Sequence, residues 1–281
     1  MNTYYTHMEA APGLFQIWEP ANVGCTLITG AQRALLIDTG YGFDDLAGYV
    51  GTLTDLPLTL LNTHGHLDHA GGNYQFSQTA WLHPYEHLVY RLYQEDKVTH
   101  VPYIEKKYRL GKISNPFPPG FDRASYMEYK AVPFQDAADR QIFDLGGRAV
   151  EALFLPGHTK GSLALFDHAS GTLITGDNVG PSLWIMFEQS ASLNAFAARL
   201  AALRAELPIT QVLASHNPTP YPPEIIDCLL RGIANCDPAT SRIFTHPRHG
   251  YQALHHKEPV AGIPGLQTIH IVYPLPADPQ K

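Results

Sequence analysis

The chain has 281 residues, 44% of them hydrophobic and 16% charged, so it can bury a substantial core. Its formal charge of −7, from 19 basic and 26 acidic residues without a Lys/Arg-rich run, argues against a nucleic-acid partner. The first residues do not resemble a signal peptide, and no apolar run is long enough to span a bilayer, so we expect a cytoplasmic protein with no membrane partner.

Short strands separated by turns are predicted for residues 14–62. The strand-like runs are LFQIW, CTLIT, ALLID and LTLLN, with a short helical stretch around FDDLAGYVGTL. The consecutive apolar positions of ALLID are typical of a strand covered on both faces, and Asp38-Thr39-Gly40 then ends that strand with turn-forming residues. We therefore expect this segment to form a buried sheet.

Residues 80–140 differ in composition, being rich in Tyr, Phe and Pro. The run SNPFPPGF at 114–121 excludes regular structure for that stretch. An interruption of this kind inside a domain is often a lid or a pocket wall, which is what we expect here.

The second half of the chain again alternates strands and helices. Two strands are joined through Gly146-Gly147, and a hairpin turns at residues 168–171. Apolar residues recur three and four apart over 192–207, which predicts a helix capped by Ser192. A strand-like TQVLASH, a helical YPPEIIDCLLRGIANC and an alternating TIHIVYP follow.

One loop holds four side chains that commonly bind metals. The stretch NTHGHLDHAGG, residues 62–72, contains His64, His66, Asp68 and His69. A catalytic zinc site uses about three imidazole or carboxylate ligands and keeps one position for water, so this loop cannot complete two such sites alone. Three further candidates each follow a strand-like run: His158 in PGHTKGS, Asp177 in TGDNVG and His216 in ASHNP.

The motifs THGHLDHAGG, PGHTKGS, TGD and SH, in this order and at these separations, resemble those of the metallo-β-lactamase superfamily. The resemblance covers about residues 14–235. It implies an α/β fold, the four-layer αββα sandwich of that superfamily, with a metal site at one edge. It further implies a single domain over 1–281, with an insertion or lid at about 85–140 and a C-terminal extension at about 236–281.

The resemblance also implies the role of each candidate ligand in a centre of two zinc ions, with iron or manganese as other candidates. It assigns His64, His66 and His158 to the first metal, Asp68, His69 and His216 to the second, and Asp177 to a bridge between them. Asp38 would orient the histidine loop from behind. For Asp38 and Asp177, turn formation is the alternative interpretation.

Paired zinc ions lower the pKa of a shared water towards about 7, so the expected reaction is attack by a metal-bound hydroxide. Asp68 would also act catalytically, by orienting that hydroxide and carrying a proton to the leaving group. Asp177 stands where lactamases of the superfamily carry Cys or Ser, and this difference favours the glyoxalase II and lactonase-like branch. The expected activity is hydrolysis of an ester, thioester or lactone of a small molecule.

Aromatic residues near the motifs predict a substrate pocket. Tyr103 and Tyr108 lie in the insertion, and Trp184 and Phe187 follow Asp177 closely, although packing in a satellite core would also explain them. The tail histidines His246, His249, His255 and His256 are interpreted as surface residues. The basic residues that bind glutathione in the thioesterase branch have no clear counterpart, with Arg242 and Arg248 as the remaining candidates.

Two other interpretations remain open at this point. Persulfide dioxygenases resemble the same ligand set but use a single iron, and iron accepts the same imidazole and carboxylate donors. A binding protein braced by metals is the non-catalytic alternative, although structural zinc sites are usually closed and rich in Cys. Substrate identity and oligomeric state, a homodimer included, are left undetermined by the sequence.

Overall fold

Three β-sheets, seven α-helices and one short 3-10 helix (Asn73–Gln75) make up the fold of residues 4–128 and 130–276, the part of the chain that the computed structural model describes. The strands are Thr6–Ala11 (β1), Leu14–Glu19 (β2), Val23–Thr29 (β3), Ala34–Ile37 (β4), Leu58–Leu61 (β5), Ala80–Leu82 (β6), Phe134–Asp136 (β7), Gln141–Asp144 (β8), Ala149–Phe154 (β9), Leu163–Asp167 (β10), Thr172–Ile174 (β11), Ser182–Trp184 (β12), Gln211–Leu213 (β13), Arg242–Thr245 (β14), Gln252–Pro259 (β15) and Thr268–Tyr273 (β16). The helices are Leu46–Gly51 (α1), Leu67–Ala70 (α2), Glu86–Glu95 (α3), Lys97–Arg109 (α4), Arg123–Met127 (α5), Leu193–Glu206 (α6) and Glu224–Ala234 (α7). Among the described residues, no helix combines the length and apolar character needed to cross a bilayer.

The strands form one large, one medium and one small sheet. The first sheet contains β1 to β7 in chain order, antiparallel up to β4 and parallel from β4 onwards. The second has the order β13-β11-β10-β9-β8, in which only the β11–β13 pair is parallel. The third has the order β12-β16-β15-β14.

Apolar side chains fill the space between the layers. Leu35, Ile37 and Leu61 of the first sheet pack against Val150 and Leu165 of the second. Each such fully buried aliphatic side chain contributes roughly 1.5–3 kcal/mol relative to leaving it in water. This inner layer explains the apolar character of Leu35 and Ile37, whereas the alternate residues Ala34 and Leu36 of the ALLID run face the cluster on the other side of the sheet.

Helices cover the outer face of each large sheet. On the first sheet, Leu46 and Val50 of α1 pack against Leu36 and Leu60. On the second sheet, α6 and α7 pack through a cluster that continues into the third sheet; its members include Phe196, Leu200, Leu203, Ile225, Leu229, Leu254 and Ile271. The layer order is helix, sheet, sheet, helix, and the predicted αββα sandwich is confirmed.

The clearest local predictions agree with the structure. The helix predicted over 192–207 is α6, and the Ser192 hydroxyl accepts a hydrogen bond from the backbone N–H of Ala195 at 3.2 Å. Gly146 and Gly147 have φ values of 85° and 78°, which explains why glycine joins β8 to β9. The late strand β16 exists, but it belongs to the third sheet, which the sequence did not predict.

The segment 85–140 is more regular than its composition indicated. It contains α3, α4, α5 and β7, while residues 114–121 have no regular structure, as predicted. The buried face of α4 carries Val101 and Ile104, which pack in one cluster with Phe43 and Leu67. Whether this segment acts as a lid, and where the domain limits lie, stay predictions.

Candidate metal centre

The seven predicted ligands lie together at one edge of the two large sheets. Asp38 follows β4 and His64 follows β5, and these strands are parallel. Asp177 follows β11 and His216 follows β13, which are also parallel. Because the carboxyl ends of parallel strands meet at one edge, residues distant in sequence converge there. His158 follows β9, which runs in the same direction as β11.

His64, His66 and His158 form the first group of candidate ligands. One potential ligand atom of each lies within 4.8 Å of the others. His158 Nε2 is 3.1 Å from His66 Nδ1, and the His66 ring stacks on Tyr93 with centroids 4.0 Å apart. The three rings therefore face a common point.

Asp68, His69 and His216 form the second group, again with ligand atoms within 4.8 Å of one another. Asp177 lies between the two groups. Its Oδ2 is 3.6 Å from His158 Nε2, and its Oδ1 is 3.3 Å from the Nε2 atoms of both His69 and His216. One oxygen of this carboxylate thus faces each group.

Hydrogen bonds at Nδ1 orient four of the five imidazoles. The acceptors are the Asp38 carboxylate for His69 (2.9 Å), the Thr63 hydroxyl for His64 (3.1 Å), the Trp184 carbonyl for His158 (2.7 Å) and the Asn22 carbonyl for His216 (2.9 Å). A ring that donates from Nδ1 keeps the lone pair on Nε2. In their neutral form, these four rings each offer the Nε2 lone pair to a cation.

Asp38 is fully buried and has the left-handed φ of 63° at the turn that ends β4. Its Oδ1 accepts from the Thr63 backbone N–H at 2.7 Å, and its Oδ2 accepts from the Thr63 hydroxyl at 2.8 Å and from His69 Nδ1 at 2.9 Å. The residue therefore both makes a turn and holds the histidine loop, so the two interpretations of its sequence are compatible.

Glu86 is a positioning residue that the sequence did not reveal. It is fully buried at the start of α3. Its two oxygens accept from the backbone N–H groups of Gly65 and Gly161, both at 2.8 Å. Burial raises the pKa of this carboxyl, and those two hydrogen bonds act against that rise. Glu86 ties the loop of His64 and His66 to the loop of His158, and no local pattern marks it.

The histidines of the centre differ in charge, because three of them are held neutral while His69 and His216, beside the carboxylates, hold a proton more tightly. Burial lowers the pKa of His64, His66 and His158, so these rings stay neutral and keep a lone pair for a metal. Burial also acts to lower the pKa of His216, but the Asp177 carboxylate outweighs it and raises the pKa to about 9. The acidic side of the centre thus attracts positive charge.

Several atoms of the centre lack hydrogen-bond partners. His64 Nε2, His69 Nε2 and Asp177 Oδ1 are buried and make no hydrogen bond among the described residues, since His69 Nε2 and Asp177 Oδ1 only face each other at 3.3 Å without hydrogen-bond geometry. Buried polar atoms are nearly always satisfied, so three such atoms in one place need another partner. Imidazole nitrogen and carboxylate oxygen are the donors that zinc, iron and manganese accept. The residues present fit a divalent cation.

A cavity of about 360 Å³ opens onto the candidate ligands. Tyr103, Trp184 and Phe187 line it, as the predicted pocket requires. Tyr108 instead lies at the protein surface and is 43% exposed. It follows Tyr103 by five positions on α4, a rotation of about 140°, so the two side chains leave different faces of the helix.

The prediction that His246 is a surface residue is wrong. It is only 7% exposed and lines the same cavity. The tip of the β14–β15 hairpin folds back onto β12 and the residues after it, which brings the His246 ring to within 5.5 Å of Trp184 and 5.6 Å of Phe187, measured between centroids. His249, His255 and His256 are partly exposed.

Comparison with known proteins agrees with this architecture. The family model of the metallo-beta-lactamase superfamily matches residues 18–221. The acyl-coenzyme A thioesterase MBLAC2 of Homo sapiens is 28% identical over 233 residues, covering 76% of this chain and 81% of that protein. The hydroxyacylglutathione hydrolase GloC of Haemophilus influenzae is 31% identical over 156 residues, covering 54% and 65%. A crystal structure of a metallo beta lactamase from Erythrobacter litoralis has a TM-score of 0.57 at 15% identity, over 84% of this chain and 99% of that one, and shows similarity of fold.

Proposed function

The chain belongs to the metallo-beta-lactamase superfamily and is an enzyme, a hydrolase, and on that premise we propose that it cleaves a thioester of a small molecule at a centre of two divalent metal ions. Zinc is the first candidate for both ions. The arrangement that carries this proposal is the pair of ligand groups with the Asp177 carboxylate between them. A single metal would need only one of the two groups.

The residue roles implied by the sequence fit the distances described above. His64, His66 and His158 would hold one ion, Asp68, His69 and His216 the other, and Asp177 both. When bound, such a pair supplies a water of lowered pKa and polarises the carbonyl of the substrate.

Asp68 is placed to handle a proton beside the reacting bond. It lines the cavity, and its Oδ2 is 3.5 Å from His216 Nε2 and 3.9 Å from His69 Nε2. Since those contacts involve Oδ2, the second oxygen can take a proton from the attacking water and pass it to the leaving group. A thiolate needs less help to leave than an alkoxide, so this role matters most for esters.

The substrate class is inferred from the relatives and from the cavity. The relatives described above are named as a thioesterase and as a hydrolase of hydroxyacylglutathione, which is also a thioester. Trp184 and Phe187 give the cavity an apolar side beside His158, with the Phe187 and His158 centroids 5.5 Å apart. An acyl chain would pack there while its carbonyl faces the ligands.

The test is hydrolysis of a panel of thioesters, esters and lactones by the chelated protein and by the protein reloaded with zinc. We expect turnover of thioesters only after reloading. The variants Asp68→Ala and His158→Ala should each lower kcat by orders of magnitude, while Asp55→Ala, a control at an exposed position, should not. Near-normal rates for either ligand variant with full metal content would overturn the proposal. Oxygen-dependent activity with one iron per chain would favour the dioxygenase alternative.

A further inference from the structure

One face of α4 lines the cavity and carries an ammonium group. His100, Tyr103 and Lys107 follow one another at spacings of three and four residues and all line the cavity. Lys107 is half-buried, and its Nζ lies 5.9 Å from the centre of the Tyr103 ring. No carboxylate among the described residues forms an ion pair with it. Burial lowers the pKa of Lys107, and the nearby charge of Asp68 only partly opposes this, so a further anion in the cavity would stabilise the ammonium group.

The tip of the β14–β15 hairpin brings His246 to the lining of the same cavity. The Nδ1 atom of His246 accepts hydrogen bonds from the backbone N–H groups of His249, at 3.1 Å, and of Arg248, at 3.4 Å. The proton of this ring is therefore on Nε2. Burial lowers the pKa of His246 to about 4, so the ring remains a neutral donor under ordinary conditions.

Arg248 fixes the hairpin to the inserted helices. Its Nη1 is 2.9 Å from Asp96 Oδ2, at the junction of α3 and α4, and its guanidinium lies 5.7 Å from the centre of the Tyr93 ring. The side chain is only 7% exposed, yet it lines the cavity. Asp96 forms an ion pair with Arg248, whereas Lys107 forms none among the described residues and feels only the more distant charge of Asp68.

We propose that Lys107, His246 and Arg248 form a subsite that binds an anionic group of the substrate, a carboxylate or a phosphate. Both segments that build the subsite lie apart from the metal-binding motifs, and the hairpin lies beyond residue 221, where the family match ends. The inference rests on the proposed function, because it assigns a property to the substrate of that site. It makes the enzyme selective for charged thioesters over neutral ones.

The test compares thioesters that carry different charged groups, each measured with the parent protein and with the variants. Three butyryl thioesters differ in the thiol half, which is uncharged in N-acetylcysteamine, carries carboxylates in glutathione and carries phosphates in coenzyme A. The succinyl thioester of N-acetylcysteamine places a carboxylate on the acyl half. The variants are Lys107→Met, which removes the charge, and Lys107→Arg, which keeps it. Lys106→Met is the matched control, because Lys106 neighbours Lys107 on α4 and is exposed.

We expect Lys107→Met to lower kcat/KM at least about tenfold for an anionic thioester, chiefly through KM, because a charge-assisted contact is lost. The neutral butyryl thioester should be unaffected, Lys107→Arg should restore most of the activity, and the control should match the parent protein. The thioester that responds identifies the anion and the half of the substrate that carries it. An equal effect on all four thioesters, or none, would overturn the subsite.

Binding without hydrolysis separates this inference from the proposed function. S-Methylglutathione and S-methyl-coenzyme A have no thioester bond, and calorimetry measures their affinity directly. Binding that weakens about tenfold in Lys107→Met, in a protein that hydrolyses no thioester, would support the subsite and refute the proposed activity. Hydrolysis of thioesters with no dependence on Lys107 in either assay would refute the subsite alone.

Discussion

Replacement of Glu86 by Gln tests how the two ligand loops are held together. The carboxylate accepts one hydrogen bond from Gly65, between His64 and His66, and one from Gly161, three residues after His158. Gln keeps one acceptor oxygen but turns an amide NH₂ towards the other backbone N–H. One charge-assisted hydrogen bond is lost, the other becomes neutral, and two donors face each other in a buried place.

The expected cost follows from these two contacts. A hydrogen bond to a charged group is worth about 1.5–3 kcal/mol, and a buried donor left without a partner costs about 1–3 kcal/mol. Since these two effects overlap, we expect the free energy of unfolding of the metal-free protein to fall by about 2–4 kcal/mol. Metal affinity should fall about 10–100-fold, as is typical when a group that supports metal ligands is removed.

Urea unfolding measures the free energy of unfolding, and competition with a chelator measures the metal affinity. Glu95→Gln is the matched control, because Glu95 ends the same helix and is exposed. That control should change the unfolding free energy by no more than about 0.5 kcal/mol. If Glu86→Gln behaves like Glu95→Gln in both assays, Glu86 does not hold the loops as inferred from its contacts.

Three further changes have expected outcomes. Asp38→Asn removes the charged partner of His69, so chelator competition should show metal binding about 10–100-fold weaker, and unchanged affinity would refute this role. Gly65→Ala would place a Cβ 2.6 Å from the Tyr90 backbone nitrogen, so the melting temperature should fall by several degrees, and an unchanged value would contradict the packing. Burial lowers the pKa of His100 to about 3, whereas an unfolded His titrates near pH 6.5. The unfolded chain therefore binds the extra proton between these values, and stability is lost as the pH falls, by up to about 1.4 kcal/mol per pH unit. His100→Phe should remove this part of the acid dependence, and identical pH profiles of the two proteins would count against it.

The ligand cluster could be proposed from the sequence because each member belongs to a local pattern. Four of the residues occupy one loop, and His158, Asp177 and His216 each follow a strand-like run. Strand direction then places the ends of those runs at one edge, so that convergence follows from fold class alone.

The walls of the site could not be predicted in the same way. Glu86 acts through backbone groups of two loops that are distant in sequence, and His246 enters the cavity through a third sheet with weak strand signals. Tyr108 and Lys107 are adjacent in sequence, yet only Lys107 faces the cavity. The position of each residue on helix α4 decides which of the two faces the cavity. Pro102 lies inside this helix and made it hard to predict from the sequence.

The strand β1 was also missed for a physical reason. Most of its residues are exposed at the edge of the first sheet, so it lacks the alternation of buried and exposed positions that marks a strand. Edge strands are stabilised by pairing with a neighbour, here β2, rather than by their own burial. Such pairing leaves little trace in a single sequence.

The metal content of the purified chain tests the central claim most directly. Elemental analysis for zinc, iron and manganese, combined with chelator competition, gives the number of ions per chain and their affinities. The two ligand groups with the Asp177 carboxylate between them predict about two divalent ions per chain, with both lost together in an Asp177→Ala variant. One tightly bound iron per chain, or a chain that binds no metal while folded, would contradict the dinuclear hydrolase.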